Sequence, residues 1–361
     1  MKRMIFHYPN PFDFNASSAS KIRPIQMMQA FKNIGYEVEV ISGYAKERKE
    51  KIKKLKEQIK KGKKFDFLYS ESLTMPTLLS QKNHLPTLDF KDFEFFKFCK
   101  QNNIKIGLFY RDIYWAFSDY GKDISFFKRE FARFFYYYDL FKYKNLVDIL
   151  YLPSQEMAKY IPIINPLKTK ALPPGHNIYK EQEVVHNKTT LLYIGGLGEH
   201  YKMHKLFEAV SSLKDINLIV CTREKEWQKV KDSYIVAPNI NVVHKSGKEL
   251  EELYKASTIA TLFVKPKEYR EFAMPVKLFE YIGYEKPIIA TKNTLAGKFI
   301  QKNNIGWSIE YDTKKLINLL QNLKDMEQKR QNIKKIKPLH TWEARALKVA
   351  KELSGENFNL S

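Results

Sequence analysis

The sequence predicts an α/β protein made of two domains with parallel sheets. At roughly 150 residues per domain, its 361 residues are enough for two hydrophobic cores. The apolar fraction of 44 % excludes a disordered chain. Near the start of each half, a strand pattern is followed by a loop and a helix, and this alternation is typical of parallel α/β sheets.

The first half opens with one of these stretches. Residues 3–8 have the pattern of a strand and 9–20 that of a loop. A helix is predicted over 21–33, with Ser20 as its N-cap. The alternating residues 37–41 predict the next strand. Further strands are predicted over 65–69, 104–110 and 148–152.

The second half repeats this order. A strand over 190–194 runs into the glycine-rich turn 195–198, and a helix through 206–210 follows. The next strand is predicted over 216–220. Further strands are predicted over 259–264 and 287–290.

Proline and glycine after Leu172 predict the domain boundary. We predict an N-terminal domain over 1–178 and a C-terminal domain over 186–337, with the polar stretch 180–188 as linker. The segment 338–361 is expected to contain a last helix, which either forms a tail or packs back on the first domain.

The charge balance indicates an anionic partner. Lys and Arg number 62 against 40 Asp and Glu, a net charge of +22. Of the basic residues, 52 are Lys and ten are Arg, whereas base readout and forked contacts with phosphate depend on Arg. We therefore expect an anionic surface rather than a nucleic acid, although a Lys-rich chain can also reflect the composition of the genome.

Two stretches of the first half carry much of this charge. Residues 45–64 hold eleven Lys or Arg and predict an amphipathic helix with Ile52, Leu55 and Ile59 on its apolar stripe. Residues 126–144 combine ten Phe or Tyr with five basic residues. One face of this second helix is expected to carry Phe127, Phe131, Phe134, Tyr138 and Phe141. Either the helices are an ordinary surface helix and a core helix, or they form a surface for anionic lipid.

The cysteines, the apolar runs and the spacing of Asp and His residues predict the cellular compartment and whether a metal is bound. Two cysteines form no disulfide framework, which predicts a cytoplasmic protein. No apolar run approaches the roughly 18 residues of a spanning helix, and the first residues lead directly into a strand, so neither a membrane span nor a signal peptide is expected. No Asp-x-Asp occurs and the pair His200 and His204 lacks a third ligand, so no metal is expected.

Two motifs carry chemistry. Glycines between a strand and a helix, as in 195–198, let a phosphate approach backbone N–H groups, although they also occur in purely structural turns. Lys277 lies in the first turn of a predicted helix, where its charge opposes the helix dipole unless an anion binds nearby. Glu280 lies on the same face and can accept hydrogen bonds from both hydroxyls of a diol. The alternative is a simple ion pair between Lys277 and Glu280.

These motifs resemble retaining glycosyltransferase family 4. The resemblance rests on Tyr-Ile-Gly-Gly-Leu at 193–197, a strand ending at Arg223, and Met-Pro-Val-Lys-Leu-Phe-Glu-Tyr at 274–281. It covers most of residues 190–350, whereas the first half matches mainly in layout. It implies the GT-B fold, in which two Rossmann-like domains face each other across a cleft. It also implies transfer of a sugar from a nucleotide-diphosphate sugar with retention of configuration.

The resemblance assigns roles in the second half. Glu280 matches the second acidic residue of the family's Glu-x7-Glu element, which holds the ribose, while Phe272 replaces the first. Gly195 matches the glycine of the Gly-Arg-Leu loop, and Gly196 stands at the arginine position. The expected contacts to the diphosphate are Lys202, Arg223 and Lys277, and those to the donor sugar or its phosphates are the backbone groups of Ala273, Met274 and Pro275.

In the first half, Arg111 and Asp112 follow a predicted strand, and the carboxyl edge of an open α/β sheet is where ligands bind. The family has a His or an acidic residue near this place, so Asp112 is the candidate catalytic residue; a salt bridge between Arg111 and Asp112 is the alternative. The residues expected on the acceptor or phosphate side are His7, Ser17, Ser18, Arg23 and Arg111.

The leading hypothesis is thus a retaining hexosyltransferase of bacterial cell-surface polysaccharide synthesis, such as capsule or lipopolysaccharide. It would use a nucleotide-sugar donor and a glycan or lipid-linked acceptor, without a metal cofactor, as a peripheral protein on the inner face of the cell membrane. A nucleotide-sugar epimerase on the same fold and a non-catalytic nucleic-acid-binding protein are the alternatives.

Overall fold

The computed structural model of the chain describes residues 2–14, 19–83, 85–86, 90–118, 120–122, 124–179, 188–198 and 201–355. The chain divides into two compact units. Unit 1 comprises Met1–Pro173 and Trp342–Ser361, and unit 2 comprises Pro174–Thr341. The division lies a few residues before the predicted boundary at 178, because Leu172 is buried in the core of unit 1 whereas the His176 N–H already donates to the His340 carbonyl in unit 2.

Unit 1 contains a six-stranded parallel sheet with the order β2-β1-β3-β4-β5-β6. Its elements are β1 (Arg3–Tyr8), α1 (Ala19–Asn33), β2 (Glu37–Ser42), α2 (Ala45–Lys60), β3 (Phe67–Glu71), α3 (Lys91–Gln101), β4 (Lys105–Phe109), α4 (Phe126–Leu146), β5 (Ile149–Leu152) and β6 (Thr169–Ala171). Strands β1, β3 and β4 are buried along almost their whole length, as expected for a parallel sheet covered by helices.

Unit 2 contains a second six-stranded parallel sheet with the order β12-β11-β10-β7-β8-β9. Its elements are β7 (Thr189–Ile194), α5 (His204–Ser211), β8 (Ile216–Cys221), α6 (Glu224–Val230), β9 (Ile240–Val243), α7 (Leu250–Ala256), β10 (Ile259–Leu262), α8 (Val276–Gly283), β11 (Ile288–Thr291), α9 (Leu295–Asn303), β12 (Gly306–Ile309), α10 (Thr313–Gln321) and α11 (Met326–Ile336). The predicted α/β class is confirmed.

The last helix, α12 (Trp342–Ser354), packs in unit 1. Trp342, Val349 and Leu353 are buried in the same core as Phe6 and Phe31 of β1 and α1. Residues 338–341 of the predicted terminal segment remain in unit 2, so the chain returns to unit 1 only at Trp342.

The structure refines the predicted helices. Helix α1 begins at Ala19, so Ser20 lies inside the helix instead of capping it. The apolar stripe predicted for α2 is confirmed, because Ile52, Leu55 and Ile59 are buried. Within the described ranges, no helix is both long and apolar enough to cross a membrane.

Helix α4 has two aromatic faces. Its core face includes Phe135, Tyr136 and Tyr143. The large hydrophobic side chains exposed on its other side are Phe126, Phe127, Phe131, Phe134, Tyr137 and Phe141, hereafter the α4 aromatic patch. The predicted apolar face is therefore largely exposed, except for Tyr138, which packs beside Phe90 and Phe93.

Candidate functional site

The sheet topology of unit 2 marks a crevice. Strand β7 lies between β8 and β10, because the chain leaves β7 first toward one side of the sheet and later returns on the other. Ligands of open α/β sheets bind outside the carboxyl ends of the strands at such a switch point. The segments that begin there are the glycine-rich turn after β7 and the loop that leads from β10 to α8.

The glycine-rich turn is tied down by its neighbours. A Cβ at Gly195 would lie 2.7 Å from the Tyr193 phenol oxygen, so a side chain at this position would displace the Tyr193 ring. The Gly195 N–H donates to the Cys221 carbonyl at 3.0 Å, and the Leu197 N–H donates to Glu226 Oε2 at 3.0 Å. These two amides therefore already have acceptors. This differs from the expectation that the turn presents free N–H groups to a phosphate.

Glu226 is the unexpected member of this site. One of its oxygens accepts from the turn and the other pairs with the Arg223 guanidinium. A Cβ on Gly196 would also lie 3.1 Å from the Glu226 carboxylate. The Glu226 carboxylate therefore places a negative charge beside Arg223 and the glycine-rich turn, where the sequence analysis expects the diphosphate to bind. Nothing in the spacing of Glu226 predicted this contact, because it depends on how α6 packs against the turn.

Glu280 on α8 is held by two neighbours. Lys277 pairs with its Oε2, so the ion pair considered as the alternative is present. The Tyr254 hydroxyl of α7 donates to the same oxygen at 2.8 Å. Among the described residues no partner is assigned to Oε1, and the side chain remains about 21 % exposed. The carboxylate is therefore fixed in place with one oxygen free to accept from hydroxyl groups of a ligand.

The turn and α8 are adjacent. The Tyr281 hydroxyl of α8 accepts the Ile194 N–H at the end of β7 at 3.0 Å. Cys221, at the end of β8, lies near both the turn and α8. Its carbonyl accepts from the Gly195 N–H, and its thiol is close enough to Lys277 for the charge of the lysine to act on it. Burial raises the pKa of this thiol, and the positive charge of Lys277 lowers it.

Arg270 brings a further cation to the turn. Its guanidinium carbon lies 4.6 Å from the centre of the Tyr201 ring, and its charge acts on Tyr193 as well. Burial lowers the pKa of Arg270. The sequence analysis did not select Arg270, because the contact joins two segments about seventy residues apart. Arg270 therefore places a guanidinium beside the glycine-rich turn, in which Gly196 occupies the position where the resemblance leads us to expect an arginine.

Residues 272–275, just before α8, are held in place by contacts with neighbouring residues of unit 2. The Ala273 N–H donates to the Tyr269 carbonyl at 3.1 Å, and Met274 packs against the core. Pro275 is the N-cap residue of α8. Phe272 is 2 % exposed and packs against Tyr269, so an apolar side chain fills the position of the first family glutamate.

Comparisons with known proteins agree with this topology. Residues 176–339 match the family described as Glycosyl transferases group 1. Sucrose-phosphate synthase from Thermosynechococcus elongatus is 13 % identical, with a TM-score of 0.64 over 97 % of this chain and 98 % of that one. The chain has the GT-B fold. HepE from Anabaena, solved in complex with UDP-glucose, is 11 % identical, with a TM-score of 0.62 over 98 % of this chain and 100 % of that one.

A third GT-B structure is WaaG, described as a glycosyltransferase involved in lipopolysaccharide biosynthesis. It is 15 % identical, with a TM-score of 0.60 over 99 % of this chain and 100 % of that one. No curated protein matches the chain by sequence. The family match lies within unit 2, and together with the GT-B fold it supports a nucleotide-sugar glycosyltransferase.

Lys202 lines a pocket of about 790 Å³ in unit 2, and the lining of this pocket includes neither Glu226 nor Glu280. Other basic residues of this pocket are His204, Lys205, Lys265 and Lys292. His204 stacks on Tyr234, and His200 lies outside the described residues. The described ranges contain no group of three or more His, Cys, Asp or Glu that could hold a metal ion.

In the first Rossmann-like domain, unit 1, His7 is internal. It is 2 % exposed, its Nδ1 lies 2.8 Å from the Ser70 hydroxyl, and its Nε2 lies 3.0 Å from Asp92. Asp92 in turn pairs with Arg48. A buried hydrogen-bond network therefore takes up both ring nitrogens of His7, and its assignment to the acceptor or phosphate side stays a prediction.

The other candidates of unit 1 gather near the ends of β3 and β4. Arg111 does not pair with Asp112 in a surface salt bridge; it pairs with Glu71 at 3.0 Å, as Arg23 does at 3.1 Å. Asp112 accepts from the Tyr114 N–H at 3.0 Å. Ser17 and Ser18 lie outside the described residues.

Proposed function

We propose that the chain transfers a sugar from a nucleotide-diphosphate sugar to a glycan or lipid-linked acceptor, with retention of configuration. The observation that carries this proposal is the Glu280 carboxylate, held by Lys277 and Tyr254 at the switch-point crevice of a group 1 domain with one oxygen left to accept from a ribose diol. A related fold, HepE, has been solved with UDP-glucose, which supports a donor of this class.

The proposed reaction assigns each group a task. The acceptor hydroxyl attacks the anomeric carbon on the face from which the diphosphate leaves, the bond to the diphosphate breaks, and the hydroxyl proton passes to a phosphate oxygen. Negative charge grows on the leaving group, so preorganised cations lower the barrier. Arg223, Arg270 and Lys277 are the proposed cations. Asp112 is the proposed catalytic residue of unit 1, and no metal has a role in this scheme.

A binding and turnover panel tests the proposal. We expect one nucleoside diphosphate to raise the thermal midpoint, since a ligand at a hundred times its Kd adds about 2.7 kcal/mol of stability. The matching nucleotide-sugar should then transfer its sugar with retained anomeric configuration by NMR. A sugar epimerised without an acceptor would instead support the epimerase. Salt-dependent duplex binding without nucleotide affinity would support the nucleic-acid-binding protein.

Glu226→Gln is expected to tighten binding of the nucleoside diphosphate. The variant removes a negative charge next to Arg223 while leaving an oxygen that can still accept from Leu197. Relief of repulsion is worth about 1 kcal/mol, or roughly fivefold in Kd. Isothermal titration with the nucleoside diphosphate and with the uncharged nucleoside measures the effect.

The matched control is Glu224→Gln, which removes the same charge from the same turn of α6. It should leave the diphosphate affinity nearly unchanged, and neither variant should change nucleoside affinity. Equal diphosphate affinity in the Glu226 variant and the wild type would show that this carboxylate does not compete with the ligand.

We further propose that unit 1 sits on an anionic membrane surface at the cytoplasmic face of the cell, where a lipid-linked acceptor of surface polysaccharide synthesis would be found. Phe127, the most exposed residue of the α4 aromatic patch, is 84 % exposed. Basic residues of the same helix, such as Lys128 and Lys142, can pair with lipid phosphate. A large exposed apolar area rimmed by charge is typical of membrane or protein contacts.

Replacing Phe127, Phe131, Phe134 and Phe141 together by Ser is expected to weaken binding to vesicles containing 30 % anionic lipid by at least tenfold, because a buried aromatic ring contributes about 1.5–3 kcal/mol. Co-sedimentation with the vesicles at low salt measures the binding of the variant and of the wild type. The double variant Ile235→Ser, Val236→Ser removes exposed apolar residues of unit 2 and serves as control. Vesicle binding that is the same in the α4 variant and the wild type would refute the proposed surface.

A further inference from the structure

Unit 1 has a switch point of its own. Strand β1 lies between β2 and β3, because the chain leaves β1 toward one side and returns on the other. The carboxyl ends of β1 and β3 are Tyr8 and Glu71. By the rule that applies to open α/β sheets, the crevice beside these two residues is where a ligand of unit 1 would bind.

Two guanidinium groups share one carboxylate in this crevice. Glu71 is fully buried; its Oε1 accepts from Arg23 Nε at 3.1 Å and its Oε2 from Arg111 Nη2 at 3.0 Å. Tyr69 also donates to Glu71, at 2.9 Å. The cluster of Arg23, Arg111 and Glu71 therefore carries a net positive charge where little water can screen it.

A third guanidinium group adds to the positive charge around Arg23. Arg345 of α12 is 7 % exposed and is bound through Nε to the Pro173 carbonyl at 3.0 Å. Burial, together with the charge of Arg23, lowers the pKa of Arg345 to about 9. Positive charge is thus concentrated around Arg23, which is the most enclosed of these side chains at 3 % exposure.

Arg23 has an unused hydrogen-bonding edge. Its guanidinium carbon lies 3.5 Å from the centre of the Phe109 ring, and Nε is bound to Glu71. Nη1 and Nη2 are buried, and neither has a hydrogen-bond partner of ordinary geometry among the described residues, although the guanidinium lies close enough to the Tyr69 hydroxyl to interact with it. Burying a charged group without partners is costly, so an anion that pairs with these N–H groups would stabilise the site. Two parallel guanidinium N–H groups match the two oxygens of a carboxylate or phosphate.

We infer that Arg23, supported by Arg111, binds an oxyanion of the acceptor, so that the enzyme uses an acceptor bearing a phosphate or carboxylate group. This inference rests on the proposed function and adds the chemical class of the acceptor to it. The assigned donor groups, including Glu280 and Arg270, lie in unit 2, whereas the Arg23 cluster lies entirely in unit 1.

The test uses inorganic phosphate and acetate as probes on the full chain. Phosphate or acetate should raise the thermal midpoint, and the rise should persist when the donor nucleoside diphosphate is saturating. The Arg23→Met variant should need at least ten times more phosphate or acetate than the wild type for the same rise in thermal midpoint. Arg23→Lys keeps the charge but loses the paired N–H groups, so its response should weaken as well.

The control is Arg3→Met, which removes a guanidinium from the opposite end of the same strand β1 and should leave the response intact. A response lost equally in the Arg3 and Arg23 variants would overturn the inference, as would competition between the probe and the nucleoside diphosphate, since the anion would then be the donor's own. If the diphosphate binds the wild type but neither probe does, only the acceptor inference fails. If no diphosphate binds, the proposed function fails, and the Arg23 response still reports on the anion site.

Discussion

Glu280→Gln is expected to weaken binding of the nucleoside diphosphate by about 1.5–3 kcal/mol, or roughly 10- to 150-fold. Lys277 and Tyr254 both donate to Oε2, so the glutamine oxygen will occupy that position. The amide nitrogen then replaces Oε1. A group that accepted a ribose hydroxyl becomes a donor, and the hydrogen bond to the diol is lost.

Isothermal titration with the nucleoside diphosphate measures this loss. Glu251→Gln removes an equal charge from the exposed first turn of α7 and should bind like the wild type. The thermal midpoint of the Glu280 variant without ligand should stay within a few degrees of the wild type, because Glu280 is partly exposed. If a folded Glu280 variant bound the ligand with wild-type affinity, the donor site would have to lie elsewhere.

The parts of this site that the sequence predicted are local. Lys277 and Glu280 are three residues apart on one helix, so helical geometry alone brings them together. The Gly195 turn was predictable for the same reason, since glycine between a strand and a helix allows the close approach that Tyr193 makes there.

The contacts that the sequence did not predict join distant segments. Arg270 reaches Tyr201, and Glu226 reaches Leu197, only after the loops around β7, β8 and β10 are placed side by side. No spacing rule encodes such a distance. The contacts of His7 were not predicted for a related reason: its place near the end of β1 follows from the sequence, but its burial against Asp92 depends on α3 packing over it.

The fold itself was more predictable than the site. Long strands with strong apolar patterns, such as β1 and β7, were found near their observed bounds. Strands β6, β9 and β12 were missed, because these short edge strands are only partly buried and lack the continuous apolar run of β10 and β11, which are about as short but were predicted.

Asp139 on the core face of α4 is expected to make the stability of unit 1 depend on pH. Its Oδ2 accepts from the Thr77 N–H at 2.7 Å and from the Tyr143 hydroxyl at 3.3 Å, whereas Oδ1 is buried without a partner among the described residues. Burial raises the pKa of Asp139 to about 7, and the negative charge of Asp92 adds to this effect.

The sign of the effect follows from linkage. The folded state holds the proton more tightly than the unfolded chain, whose aspartate has a pKa near 3.9. The stabilisation is therefore complete below about pH 4 and is lost as the pH rises through about 7, by at most about 4 kcal/mol for this shift. Asp139→Asn stays neutral and keeps an acceptor for Thr77, so it should match the wild type at low pH and exceed its stability at pH 8.

Thermal midpoints measured from pH 4 to pH 8.5 distinguish this from a general effect of charge. The wild type should lose stability across that range while the Asp139 variant changes less, and Asp215→Asn, which removes a carboxylate from an exposed turn of unit 2, should follow the wild type. Parallel pH curves for the wild type and the Asp139 variant would mean that Asp139 is already ionised in the folded state. The unpartnered Oδ1 would then have to be solvated, which would contradict its burial on the core face of α4.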